Sequence, residues 1–280
     1  MITLKGAEVS SKIKDQVQES VEKLDGHVPT AAIVRVGERP DDLSYEKGVI
    51  KKIASFEMES KTYAFPEDIS EEAFLEEFRK INADESVDGI LLFMPLPKHM
   101  NGKLFESAID PVKDLDGISP VNRAKVFAGE ADGFAPCTAA AVIEVLKAFE
   151  IPMAGKRAVV VGRSMVVGRP LSMLFLKENA TVTVCHTRTA DLKEECKRAE
   201  ILVAAAGKAK MLDKEYVADG AVVIDVGINV DENGKLCGDV KWDGLEEAAS
   251  AATPVPGGVG AVTTAVFCKH LAQAALRRRS

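Results

Sequence analysis

Several features are scarce in this 280-residue chain, and each scarcity excludes something. There are five cysteines, Cys137, Cys185, Cys196, Cys237 and Cys268, scattered, odd in number and with no C-x-x-C pair. A disulfide-framed secreted module is excluded, and reduced thiols in a cytoplasmic protein are expected. The four histidines, His27, His99, His186 and His270, show no metal-ligand spacing, so no metal site is expected. Basic residues do not exceed acidic ones: 36 Lys and Arg stand against 43 Asp and Glu, a net charge of -7. That argues against a nucleic-acid partner, which calls for a basic surface. No apolar run reaches the ~20 residues of a membrane span, so no membrane partner is expected. The start, MITLKGAEVSSKIK, turns polar within a few residues, and no signal peptide is expected. Internal repeats and low-complexity segments are absent too.

What is there is ordinary in bulk and informative in order. Hydrophobic residues make up 46% and charged residues 28%, enough for a real core, and the length suits one large or two ordinary domains. The first ~120 residues alternate helix and strand, which predicts a parallel α/β sheet. Helical spacing covers 9–24, about 43–56 and 70–82, the last opened by Ser70 and two glutamates. β-type runs cover 31–36, 59–65 and 87–94. Residues 110–138 read as loop, a length that is functional or marks a domain junction. A helix over 139–149 then leads into a second half.

That half centres on Lys156–Arg188: a β-branched run, a turn at Gly162-Arg163-Ser164, a helix from about Pro170, and a second run at 181–185. This is one βαβ unit. Gly162 permits a tight turn and Gly168 a close backbone approach, and the helix start would suit a phosphate. The spacing is G-x-S-x-x-x-G rather than G-x-G-x-x-G, so taken alone it fits a plain crossover as well as a cofactor loop. Further runs at 201–205 and 221–226 end in Gly207 and Gly227-Ile228-Asn229. The rigid loop TPVPGGVG follows, a last helix runs from Val262 to about Leu276, and Arg277-Arg278-Arg279 reads as a solvated basic tail.

Six motifs now stand in one order: DGILLFMPLP (88–97), KDLDG (113–117), PCT (136–138), VVVGRSMVVGRP (159–170), AVVIDVGIN (221–229) and TPVPGGVG (253–260). With them the chain resembles the bifunctional methylenetetrahydrofolate dehydrogenase/cyclohydrolase enzymes over nearly its whole length. The resemblance implies a two-domain α/β fold, with an N-terminal substrate domain and a Rossmann-like parallel-sheet nucleotide domain. The expected bounds are 1–138 for the folate domain, rejoined by the last helix at 262–280, and 139–261 for the nucleotide domain. It further implies tetrahydrofolate derivatives as ligands, a homodimer through the nucleotide domain, and a place in the one-carbon metabolism that serves purine synthesis. The implied reaction is oxidation of 5,10-methylenetetrahydrofolate to the methenyl form with hydride passing to a nicotinamide. Family members usually add hydrolysis to 10-formyltetrahydrofolate.

By that resemblance Tyr45 packs on the folate and Asp116 binds its pterin ring, where a carboxylate can accept two parallel hydrogen bonds from an amino-pyrimidine edge. Pro256, Gly257 and Gly258 would give backbone approach to the substrate. Gly162, Arg163, Ser164, Gly168, Thr187, Arg188, Gly207 and Ile228 would line the cofactor. NADP is expected over NAD, because the second strand ends Cys185-His186-Thr187-Arg188 with no acid to hold ribose hydroxyls. Two departures matter. The family's lysine four residues after the tyrosine is Val49, and its glutamine before Leu-Pro-Leu-Pro is Phe93. Lys47 and Lys51 point elsewhere on the helix, while Lys52 lies nearly on the face of Val49. Hydride transfer mainly needs alignment, but hydrolysis needs a group of tuned pKa. The sequence therefore predicts a dehydrogenase with weak or lost cyclohydrolase activity; the alternative keeps both, with Lys52 or a water network standing in for the lysine.

Overall fold

The computed structural model describes residues 1–279. In chain order the elements are β1 (Ile2–Thr3), α1 (Gly6–Val21), β2 (Thr30–Val36), α2 (Pro40–Ser55), β3 (Glu59–Phe65), α3 (Glu71–Ala83) and β4 (Gly89–Leu92). Then come α4 (Gly102–Ala108), α5 (Pro120–Ala128), α6 (Cys137–Ala148), β5 (Arg157–Val161), α7 (Gly168–Lys177) and β6 (Thr181–Cys185). The remainder is α8 (Leu192–Lys197), β7 (Ile201–Ala204), β8 (Val222–Asp225), β9 (Asn229–Val230), β10 (Leu236–Cys237), β11 (Ala251–Ala252) and α9 (Val259–Arg279). The chain divides into two compact units: 1–12 with 136–266, and 13–135 with 267–280.

The second of these holds a three-stranded parallel sheet in the order β3-β2-β4. Every residue of β2 is buried, as an apolar central strand requires. Phe74, Phe78 and Ile81 recur at helical spacing on α3 and press on Ala32, Val34, Ile90 and Leu92. The Phe74 ring lies 4.7 Å from that of Phe105 on α4. The hydroxyl of Ser70 caps α3 by accepting from the Ala73 amide, the start signal read in the sequence.

Two expectations fail in this unit. The 110–138 segment is not all loop, for α5 lies within it, capped by Ser119, carrying Pro120 in its first turn and stopped by Gly129 at φ 74°. Nor is Arg277–Arg279 a solvated tail. The Arg277 guanidinium lies 4.4 Å over the Phe134 ring and donates to the Asp132 carbonyl at 2.7 Å. Arg278 donates to the Val87 carbonyl at 2.6 Å and to the fully buried Asp88 carboxylate at 3.2 Å, with Arg279 at 3.6 Å. Asp88 also accepts from the Thr30 amide and meets His27 at 2.7 Å. A buried carboxylate needs such partners, and Arg278 and Arg279 on the helix end supply two of them.

The other unit holds a six-stranded sheet, β1-β11-β8-β7-β5-β6, in which every pair is parallel. Its core joins Val159, Val161, Leu202, Ala204, Val223 and Leu245. The antiparallel pair β9–β10 hangs from it as a small hairpin. Residues 1–12 belong here, because β1 pairs with β11 and the Leu4 amide donates to the Ala252 carbonyl. The sequence placed them with the first domain; two-residue strands carry no pattern to read. Helix α9 starts at Val259, earlier than the predicted Val262, and runs to Arg279. It is long and apolar enough to cross a membrane by length and composition, and 56% of that stretch is buried inside the protein, as in a core helix.

Candidate functional site

In the six-stranded sheet β5 has β6 on one side and β7 on the other, so strand order reverses between β5 and β7. Ligands of open α/β sheets sit outside the carboxyl ends of strands at such a switch point. The glycine turn read in the sequence is here. Gly162 ends β5 at φ 141°, and a Cβ on it would overlap the Ala205 carbonyl after β7. A Cβ on Gly168 would overlap the Gly162 carbonyl, so the start of α7 lies tight on the strand end. The Gly162 amide donates to the Cys185 carbonyl at 2.9 Å, which brings the tip of β6 alongside.

The helix start offers a phosphate less than the sequence suggested. Pro170 has no N–H, the Arg169 amide donates to the Ser164 carbonyl and the Leu171 amide to the Val167 carbonyl. The Val167 amide goes to the Ser164 hydroxyl at 3.0 Å. Ser164 therefore shapes the turn. Arg163, Thr187 and Arg188 are all exposed at this end, and the Arg188 amide donates to His186 Nδ1 at 3.1 Å. Charge for an anionic group comes from these arginines more than from free amides.

Two buried carboxylates behind the neighbouring loops escaped the sequence reading. Asp239 accepts from the amides of Ala206, Gly207 and Lys208 at 2.6, 2.9 and 2.8 Å and from Asn229 Nδ2 at 2.9 Å. Asp225, at the end of β8, accepts from the amides of Gly227, Asp239 and Val240 at 2.9, 3.0 and 2.9 Å. Burial pushes the Asp225 carboxyl up to about 6 against the pull of those amides, with the Asp239 charge adding to the rise. The only hint in sequence was an aspartate at the end of each apolar run, AVVID and KLCGD. Ile228, beside them, is exposed. Pro256 and Gly257 are exposed while Gly258 is buried, and the Gly257 carbonyl accepts from the Gly6 amide at 2.8 Å.

Tyr45, Lys52 and Asp116 lie in the three-stranded unit. Tyr45, 44% exposed on α2, sets its ring 5.6 Å from that of Phe93. Phe93 is 5% exposed and Val49 1%, so the two departures from the family pattern are buried apolar side chains. Lys47 and Lys51 are exposed; Lys52 is half-buried, its ammonium 5.5 Å from the Phe56 ring centroid. Asp116 is half-buried on a turn that Gly117 completes at φ 60°. That turn is held from behind by Asp114, which accepts from the Ile118 and Ser119 amides and from Asn122 Nδ2 at 2.9 Å. His270 Nδ1–H donates to the Leu115 carbonyl at 2.7 Å. Burial, with the charges of Lys269 and Arg277, pushes this imidazole down to about 4 against that hydrogen bond. Among the described residues no group of three or more His, Cys, Asp or Glu side chains could hold a metal ion.

Comparison with known proteins decides between a plain crossover and a cofactor loop. The profile described as the tetrahydrofolate dehydrogenase/cyclohydrolase catalytic domain matches residues 4–116, and the one described as the NAD(P)-binding domain of the same enzymes matches 136–279. The chain belongs to the tetrahydrofolate dehydrogenase/cyclohydrolase family. It is 48% identical over 275 residues to the bifunctional protein FolD of Clostridium kluyveri, covering 98% of this chain and 97% of the relative. The FolD methylenetetrahydrofolate dehydrogenase/cyclohydrolase of Campylobacter jejuni superposes with a TM-score of 0.96 at 38% identity, covering 99% of each chain. The Trypanosoma brucei methylenetetrahydrofolate dehydrogenase-cyclohydrolase, solved with NADP and an inhibitor, gives 0.92 at 32% identity over 100% of this chain and 98% of that one. Within the tetrahydrofolate dehydrogenase/cyclohydrolase family, then, the six-stranded unit carries the NAD(P)-binding domain and the two-domain α/β fold is the expected one.

Proposed function

We propose that the protein oxidises 5,10-methylenetetrahydrofolate to the 5,10-methenyl form with NADP, and also hydrolyses the methenyl form to 10-formyltetrahydrofolate. The observation that carries the first half is the glycine turn at the switch point, which leaves no room for a Cβ at Gly162 or Gly168, in a chain matched throughout by this family. Bound there, NADP would supply the hydride acceptor. Gly162, Gly168, Gly207 and Ile228 would shape its bed, Ser164 would hold the turn, and Arg163, Thr187 and Arg188 would meet a 2′-phosphate. Tyr45 would pack on the folate, Asp116 would accept from its pterin edge, and Pro256, Gly257 and Gly258 would approach it by backbone. None of these residues has to abstract a proton; the requirement is alignment of donor carbon and acceptor ring.

For hydrolysis the relatives weigh against the loss expected from the sequence, since proteins about half identical over nearly their whole length are named bifunctional. Lys52, or water held near it, would then provide the polar group. A second reading keeps a specific observation in its favour. Val49 and Phe93 are buried and apolar where the family has lysine and glutamine, which points to weak hydrolysis. One preparation separates the readings: nicotinamide absorbance follows oxidation, and the decay of added methenyltetrahydrofolate follows hydrolysis. Decay faster than in buffer, at a rate near that of oxidation, supports two activities, and buffer-rate decay supports one. No NADP reduction at all overturns both.

We further propose a homodimer through the six-stranded unit, where β6 is an edge strand that leaves Val184 exposed. Light scattering tests it, and a monomer mass at micromolar concentration would refute it. A cytoplasmic location is proposed from five buried free thiols.

A further inference from the structure

The carboxylates of Asp225 and Asp239 touch neither the glycine turn nor an exposed surface, yet they hold the ground that turn rests on. Three successive amides, those of Ala206, Gly207 and Lys208, converge on Asp239. A concavity of amides like this one would take a phosphate or other anion in another setting. Here the chain's own carboxylate fills it, so these amides are spent and a cofactor phosphate must be met elsewhere, at Arg163 and Arg188. Asp239 is itself fixed: its amide and that of Val240 donate to Asp225, whose own amide donates to Thr253 Oγ1 at 2.7 Å. The closure is tight on both sides. A Cβ on Gly227 would overlap the Asp239 carboxylate, and one on Gly238 would overlap that of Asp225. The loop so held begins at Ala205, whose carbonyl is the wall against which Gly162 packs.

We infer that Asp239, seated by Asp225, is a positioning residue for the nucleotide: it fixes loop 206–208 and, through Ala205, the setting of the glycine turn. The inference rests on the reading of that turn as the NADP site. Removing the charge should loosen the bed without touching the reacting atoms, so the effect falls on cofactor binding. Asp239→Asn turns an amide N–H₂ toward donors and removes the negative charge. The expected result is a KM for NADP raised about tenfold, with kcat at saturating NADP and the KM for methylenetetrahydrofolate within about twofold of wild type. Asn229→Ala, which removes one hydrogen bond onto Asp239 from a partly exposed residue, should raise the NADP KM in the same direction by about twofold to threefold. A general loosening of the fold would instead lower kcat and both affinities together. Direct titration of NADP against each protein, with melting curves to establish folding, completes the set. Wild-type affinity for NADP in a folded Asp239→Asn overturns the inference. If that variant does not fold, Asn229→Ala decides, and an unchanged NADP KM there overturns it. A wild type that neither binds NADP nor reduces it overturns the underlying reading instead.

Discussion

His270 makes a sharp prediction about pH. Its ring is buried, its Nδ1–H donates to the Leu115 carbonyl, and it lies 5.0 Å from the Phe134 ring. Its pKa falls from 6.5 to about 4 in the fold. Between those values the unfolded chain binds a proton that the folded chain does not, so stability increases with pH across that window. The contribution is complete above pH 6.5 and is lost as pH falls toward 4. That difference is worth about 3 kcal/mol, a large share of the margin by which a domain is stable. His270→Gln keeps an N–H donor for Leu115 and cannot titrate. Urea denaturation followed by circular dichroism, at about pH 7.5 and about pH 4.5, should show wild type losing a few kcal/mol more than the variant. Equal losses of stability in the two proteins would refute the claim that a buried neutral imidazole anchors this loop.

Arg278→Ala deprives the buried Asp88 of its nearest guanidinium while leaving His27 and Arg279, and should cost about 3 kcal/mol in chemical denaturation; a change under about 0.5 kcal/mol, typical of a solvated tail, would contradict the pairing. Arg163→Ala should raise the Michaelis constant for NADP and spare that for NAD, and equal effects on both would count against a 2′-phosphate contact. Lys52→Ala should abolish methenyl hydrolysis if this ammonium stands in for the family lysine, and leave the rate of methenyl decay unchanged if the hydrolytic site is lost. Gly238→Ala puts a Cβ onto the Asp225 carboxylate and should lower the melting temperature by several degrees, about 2–4 °C per kcal/mol lost in a chain of this size.

What could be read from the sequence follows from how local each cause is. β3 and β6 were legible to the residue because a run of β-branched and alternating side chains is a local signal. Ser70 was legible as a cap for the same reason. The two-residue strands β1 and β11 were not, since their pairing is decided by partners far away in sequence. Helix α5 was hidden inside a loop although Ser119, Pro120 and Gly129 mark its ends, because only a short apolar face lies between them. The glycine turn at the strand switch point could be found by motif. Asp225 and Asp239 could not, since they act on backbone amides that any residue carries. The arginines at 277–279 misled for the opposite reason: a run of charge looks solvated until a buried carboxylate is found opposite it.

The bond between Arg278 and Asp88 joins residues 190 positions apart. During synthesis the carboxylate is therefore made long before its guanidinium, and every strand of the six-stranded sheet except β1 is translated in the interval. The three-stranded unit, assembled from 13–135 and 267–280, has to wait for its last piece with a charged group where its interior will be. The other unit is less delayed, needing only residues 1–12 from the start of the chain. Contacts this distant slow folding and leave apolar surface open meanwhile. The six-stranded unit thus has all its residues before the three-stranded unit does, although the latter accounts for most of the chain made first.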